Sequence, residues 1–160
     1  MNIVFYSLVT LAAYLTMEFV AWFAHKYLMH GLLWSWHEDH HKPDEKNGFF
    51  EKNDRFFLVF AVPSATCFIL GSSLPDWFFL FFIGVGIALY GLTYFLIHDV
   101  YIHRRFKWFK KLDSTYSRAI LRAHGAHHSK QTKEDCESFG LLVVDKKFFG
   151  KRTNTNTNSK

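Results

Sequence analysis

The sequence predicts an all-α fold, an integral-membrane helical bundle, and two observations carry that prediction. Charge is segregated: residues 1–24 hold no Lys or Arg, and residues 56–97 hold Asp76 as their one charged side chain. All 19 Lys and Arg lie in the two remaining pieces. The apolar blocks are also long enough, because a membrane-crossing helix needs about 20 mainly apolar residues. A mean hydropathy of −0.02 averages over this segregation and hides it.

The first span is expected over residues 2–24, with Glu18 inside it. It lacks the basic n-region and small-residue cleavage site of a secretory signal. The second and third spans are expected over residues 56–74 and 77–97, joined by the tight turn Gly71-Ser-Ser-Leu-Pro-Asp76. Three such stretches are hard to bury inside a soluble globule of 160 residues. Residues 1–150 read as one domain. The polar, low-complexity tail 151–160 reads as disordered.

Five Lys and Arg fall within residues 25–55 and fourteen from residue 98 onward. The positive-inside rule then puts both pieces in the cytoplasm, with the N-terminus and the 71–76 turn outside. The net charge of +5 thus needs no nucleic-acid partner, and no nucleic-acid recognition motif accompanies it. Cys67 lies in a span and Cys136 in the cytoplasmic part, so no disulfide is expected between them.

Every histidine belongs to one pattern that occurs twice: His25/His30 and His37/His40/His41, then His98/His103 and His124/His127/His128. As motifs these are HxxxxH and HxxHH, repeated across the membrane hairpin. On an α-helix the i, i+3 and i+4 positions of HxxHH share an arc of about 100°. The HxxxxH pairs do not fit a regular helix, since i and i+5 stand roughly 140° apart. Either the helix ends or deforms between them, or the two rings serve different ions. Ten imidazoles are too many for one closed four-ligand site, whereas two ions with up to five each fit the count. Imidazole suits iron, zinc, copper and nickel alike. Residue chemistry therefore leaves open redox chemistry on iron and hydrolysis on zinc.

Carboxylates that could accept the second N–H of ligating histidines are Glu18, Asp39 and Asp99, with Glu38 and Asp54 weaker. Glu18 lies seven residues before His25, about two helical turns, and an ionisable residue in a span is a functional candidate by default. Residues 106–122 read as an amphipathic interfacial helix, with Trp108, Phe109, Leu112, Tyr116 and Ile120 on one face. Among the 19 Phe and 7 Tyr, Phe49, Phe50, Tyr94 and Phe95, which lie close to the histidines in sequence, are the candidate substrate contacts.

The histidine pattern resembles that of the fatty acid hydroxylase superfamily of membrane di-iron enzymes. Within it, the surrounding text resembles the bacterial β-carotene 3-hydroxylase branch. The matching stretches are His25-Lys-Tyr-Leu-Met-His-Gly-Leu-Leu-Trp34, Trp36-His-Glu-Asp-His-His-Lys-Pro43, Phe50-Glu-Lys-Asn-Asp54, Tyr94-Phe-Leu-Ile-His-Asp-Val-Tyr-Ile-His-Arg-Arg105, Ala123-His-Gly-Ala-His-His128 and Ser138-Phe-Gly-Leu-Leu142. The resemblance implies O₂-dependent hydroxylation at C3 of β-ionone rings, from β-carotene through β-cryptoxanthin to zeaxanthin. It implies two iron ions held by the ten histidines, with zinc as a substitute in a purified sample, and a ferredoxin-type electron donor. The bare histidine pattern is shared with fatty-acyl and sterol oxidases. A non-enzymatic metal-binding or transport protein is disfavoured, because no histidine lies deep within a span.

Overall fold

The computed structural model describes residues 2–42, 49–108 and 112–150, so the expected tail 151–160 lies outside the described residues. Among the described residues the elements are all helical and no strand occurs. Helix α1 (Ile3–Phe23) starts at Asn2, whose side chain accepts the Phe5 amide. It runs on into a π-helical segment, Ala24–Leu32, which kinks at Gly31 (φ −113°, ψ −110°). A short α2 (Trp34–His41) follows. A 3₁₀ stretch, Lys52–Phe57, leads into α3 (Leu58–Ser73). After the turn comes α4 (Phe79–Tyr94), which again continues as a π-helix, Phe95–Ile102. Helix α5 (Thr115–His128) completes the set.

Three helical stretches among the described residues, Ile3–Leu32, Lys52–Ser73 and Phe79–Ile102, are long and apolar enough to cross a membrane. Their outward faces fit a membrane protein: Leu11, Leu15, Phe19 and Phe23, each four residues after the last, form an exposed apolar ridge along α1. Between helices, small residues let backbones approach, the packing mode expected where lipid removes the hydrophobic drive. A Cβ on Gly84 would meet the Ser64 carbonyl at 3.0 Å. One on Gly86 would meet Ala13 at 2.7 Å, so α1 and α4 touch backbone to backbone there. Hydroxyls tie the helices across these contacts: Ser64 donates to the Gly84 carbonyl (2.9 Å), and Thr10 to the Phe82 carbonyl (3.2 Å). Met17, Ala21, Phe60, Ile87 and Tyr90 form the buried centre of the three-helix pack.

The interfacial helix expected from residue 106 begins later. Ser114 is the N-cap of α5 and shares a reciprocal capping pair with Ser117, so local side-chain bonding starts the helix there. Phe106 and Trp108 are not helical and pack instead on Phe95, at 5.5 and 5.9 Å between ring centroids. Phe109 lies outside the described residues. Ile120 is buried and Tyr116 exposed, so those two do not share a membrane-facing side.

Candidate metal centre

His25 and His30 lie within the first π-helical segment, and His98 lies within the second, whose C-cap is His103. A π-helix closes i→i+5 hydrogen bonds, and the His103 amide reaches the His98 carbonyl at 2.9 Å. The Leu33 amide likewise reaches the Leu28 carbonyl at 2.8 Å. That widened turn has the spacing of the motif, so residues that diverge on an α-helix converge here. The ring centroids of His25 and His30 lie 5.3 Å apart, and those of His98 and His103 lie 4.6 Å apart. Of the two alternatives open from the sequence, the helix deforms.

All ten imidazoles meet at the ends of α1, α2, α4 and α5. Two groups have a ring nitrogen from every member within 4.8 Å of one another: His25, His30, His37, His41 and His127, and His40, His98, His103 and His124. The groups do not follow the two halves of the sequence. His127 joins the four histidines from the first half, and His40 joins the three from the second. These two hold the same place in their motifs, the second histidine of HxxHH, and they have changed sides. His128 falls in neither group: its ring lies 4.4 Å from both His124 and His41 and 4.7 Å from His40, and its Nε2 is buried without a partner among the described residues.

Among the described residues, seven of the ten Nδ1 atoms are held from outside. In the first group they meet backbone carbonyls of Phe139 (His25, 3.0 Å), Lys133 (His30, 3.2 Å), Lys130 (His41, 3.0 Å) and Glu137 (His127, 2.9 Å). His37 meets the Asn53 side-chain oxygen at 2.7 Å. In the second group the partners are carboxylates: Glu51 on His40 at 2.8 Å and Asp99 on His98 at 3.4 Å. An acceptor oxygen demands a proton on Nδ1, which leaves the Nε2 lone pair of a neutral ring facing inward. Burial drives the acidities the same way. It lowers His41 to about 4, His103 to about 3, and His37, His127 and His128 to about 2. Neutral, inward-facing, tautomer-locked imidazoles are the form that ligates a cation, so the donor set fits one.

The expected carboxylates fare differently. Asp99 contacts His98 and also accepts from Arg105 at 2.8 Å. Asp39 accepts the Lys52 amide at 2.7 Å, not a histidine, because α2 turns it toward the incoming 3₁₀ stretch. Glu38 forms a surface pair with Lys42. Glu18 is also a correction: its oxygens are taken by Tyr90 and by the amides of Leu141, Leu142 and Val143. The chain crosses over α1 there, so Glu18 meets backbone before it can meet an imidazole. Glu51, Asn53 and the four carbonyls went unrecognised in the sequence. Glu51 and Asn53 lie in the matching stretch Phe50-Glu-Lys-Asn-Asp54, which was the one available signal. Asp54 itself pairs with Arg105 (2.6 Å), which also donates to the Phe49 carbonyl.

Against the second group opens a cavity of about 370 Å³. Its walls include Phe49, Phe50, Tyr94 and Phe95, the four candidate substrate contacts, and His98. Phe60 and Gly91 of the spans line it too, as do Asp99 and Arg105.

Fold and site together define an all-helical protein with three membrane-length helices and a buried histidine cluster able to hold metal. The chain belongs to the fatty acid hydroxylase family, whose model matches residues 10–150. It is 39% identical over 142 residues to the beta-carotene hydroxylase of Pseudescherichia vulneris, covering 88% of this chain and 77% of that one. It is 39% identical over 138 residues to the beta-carotene hydroxylase of Pantoea ananas, covering 86% and 77%. The chloroplastic beta-carotene 3-hydroxylase of Gentiana lutea is 38% identical over 134 residues, 81% of this chain and 40% of that one. No solved structure matches the chain.

Proposed function

We propose that this chain is a membrane β-carotene 3-hydroxylase, converting β-carotene to β-cryptoxanthin and then zeaxanthin. The observation that carries this reading is the aromatic cavity whose wall includes His98, one of the clustered histidines. It brings an apolar guest from the span region up to the cluster. The names of the relatives supply the carotenoid and, for the plant relative, position 3.

All ten histidines are the ligands in this proposal. His25, His30, His37, His41 and His127 hold one ion, and His40, His98, His103, His124 and His128 the other. Bound iron would supply O₂ activation and the oxidation of an unactivated C–H bond, chemistry that side chains lack. Per hydroxylation, one oxygen atom would enter the C–H bond and the other leave as water, with two electrons delivered one at a time by a ferredoxin-type donor and two protons taken from water. Zinc could occupy the same imidazoles in a purified sample.

The protein's own part is positioning. Phe49, Phe50, Tyr94 and Phe95 give the ring an apolar seat and exclude water from it. Glu51, Asp99, Asn53 and the carbonyls of the 130–139 segment fix the tautomer and ring plane of the seven histidines they contact. Arg105 balances Asp54 and Asp99, so that the polar side of the cavity does not present unpaired carboxylates to the guest. The three spans and residues 1–150 act as one unit in the bilayer. The N-terminus lies outside, and the cluster and basic pieces face the cytoplasm, where the donor docks on lysines and arginines.

The test is expression in a bacterium that makes β-carotene, with pigments resolved by chromatography. Zeaxanthin should accumulate, and His40→Ala should abolish it. An iron-loaded chain that yields no hydroxylated carotenoid would instead point to a fatty-acyl or sterol substrate.

A further inference from the structure

Glu18 lies within the first span, yet both of its carboxylate oxygens are engaged. Its Oε1 accepts three consecutive backbone amides, those of Leu141 (3.0 Å), Leu142 (2.8 Å) and Val143 (3.0 Å). Its Oε2 accepts the Tyr90 hydroxyl at 2.6 Å, and Tyr90 is fully buried. The carboxylate thus joins α1, α4 and the C-terminal segment at one point. The fit is close: a Cβ on Gly140 would lie 3.2 Å from Glu18 Oε1. Tyr116 of α5 ties down the same segment by donating to the Leu142 carbonyl at 2.6 Å.

The residues just before this clasp do one thing for the site. Between Lys130 and Phe139 the segment supplies four of the five Nδ1 acceptors of the first histidine group. The Phe139 ring also packs edge-on against His25, His30 and His127, at 5.5, 5.2 and 5.2 Å. The second group takes none of its described acceptors from this segment, since His40 and His98 rely on Glu51 and Asp99. A disturbance of the segment therefore reaches one ion position and spares the other. Such outer acceptors typically change metal affinity by about 10–100-fold.

We infer that Glu18 is a positioning residue for one of two inequivalent metal positions, the His25/His30/His37/His41/His127 position, acting through the 130–143 strap. This inference rests on the two-ion reading above. Glu18 touches no ligand; it fixes the height at which the strap's carbonyls meet the rings, about 10 Å along α1 from His25.

The experiment uses the full chain, purified in detergent after growth in iron-replete medium, with metal measured by mass spectrometry and release followed with a colorimetric chelator. Glu18→Leu removes the acceptor, and Gly140→Val pushes the strap away while leaving the carboxylate intact. Both should lower the content from about two ions to about one and give one release phase about 10–100-fold faster, with the other unchanged. Glu18→Gln keeps an oxygen for the amides and an NH₂ that can donate to the Tyr90 oxygen, so it should retain both ions. If Glu18→Leu does not fold, Gly140→Val and Glu18→Gln decide. Two ions and unchanged release in Gly140→Val would overturn this inference alone. So would equal loss from both positions. A wild-type chain that binds no metal would overturn the two-ion reading and this inference with it.

Discussion

The Nε2 atoms of His41 and His127 face each other at 3.1 Å, although each ring has its Nδ1 against a backbone carbonyl, of Lys130 and Glu137 respectively. A carbonyl has no proton to give, so each Nδ1 carries the ring's proton and the two Nε2 lone pairs confront one another. His30 and His127 repeat the arrangement at 3.2 Å. Uncompensated, such contacts are repulsive and buried. A cation among them turns repulsion into ligation.

Removing metal should therefore destabilise the fold. An ion that binds only the folded chain at about 100 times its dissociation constant adds about 2.7 kcal/mol. For a chain of this size that corresponds to roughly 5–10 °C in the melting temperature. Differential scanning fluorimetry before and after chelation, with ferrous iron added back, measures it. An unchanged melting temperature would argue against the cluster as a metal site.

The metal-free chain should also be acid-sensitive. Burial holds His41 at about 4, His103 at about 3 and His127 at about 2, against an ordinary 6.5. Between pH 6.5 and those values the unfolded chain binds protons that the folded chain does not. Stability is thus complete above pH 6.5 and falls as pH drops through that window. Urea or thermal midpoints taken from pH 8 to pH 4 should decline below 6.5. A flat profile would contradict the burial of neutral rings.

Glu51→Gln should weaken the second ion position, because His40 exchanges a carboxylate partner for an amide. The expected loss in affinity is about 10–100-fold, read by chelator competition. Asn53→Ala should act on the first position through His37. Opposite assignments in the release phases would refute the partition of histidines proposed above.

Gly86→Val should separate α1 from α4, since even a Cβ there meets Thr10 and Ala13. Overpacking of this kind costs about 1–3 kcal/mol, visible as a lower melting temperature in detergent. Val59→Trp should instead fill the cavity beside His98. Pigment analysis should find little hydroxylated product while metal content stays at the wild-type level.

Much of this protein was determined by sequence alone. Apolar runs free of Lys and Arg set the helices, because in lipid a backbone must satisfy itself within a helix. The HxxxxH spacing excluded a regular helical chelate, since i and i+5 diverge on one, and the π-helical segments choose between the alternatives it left open. Tertiary structure alone decided the rest. His40 and His41 are neighbours in sequence yet about 100° apart on α2, so they enter different groups, and only the packing of α5 against them says which. Glu18 looked like a partner for His25 by its spacing, but the returning C-terminal segment reached it first. The carbonyls that lock four imidazoles belong to the backbone, which every residue shares, so no side-chain pattern marks them. Spacing reports what one helix can present; only the fold decides what it meets.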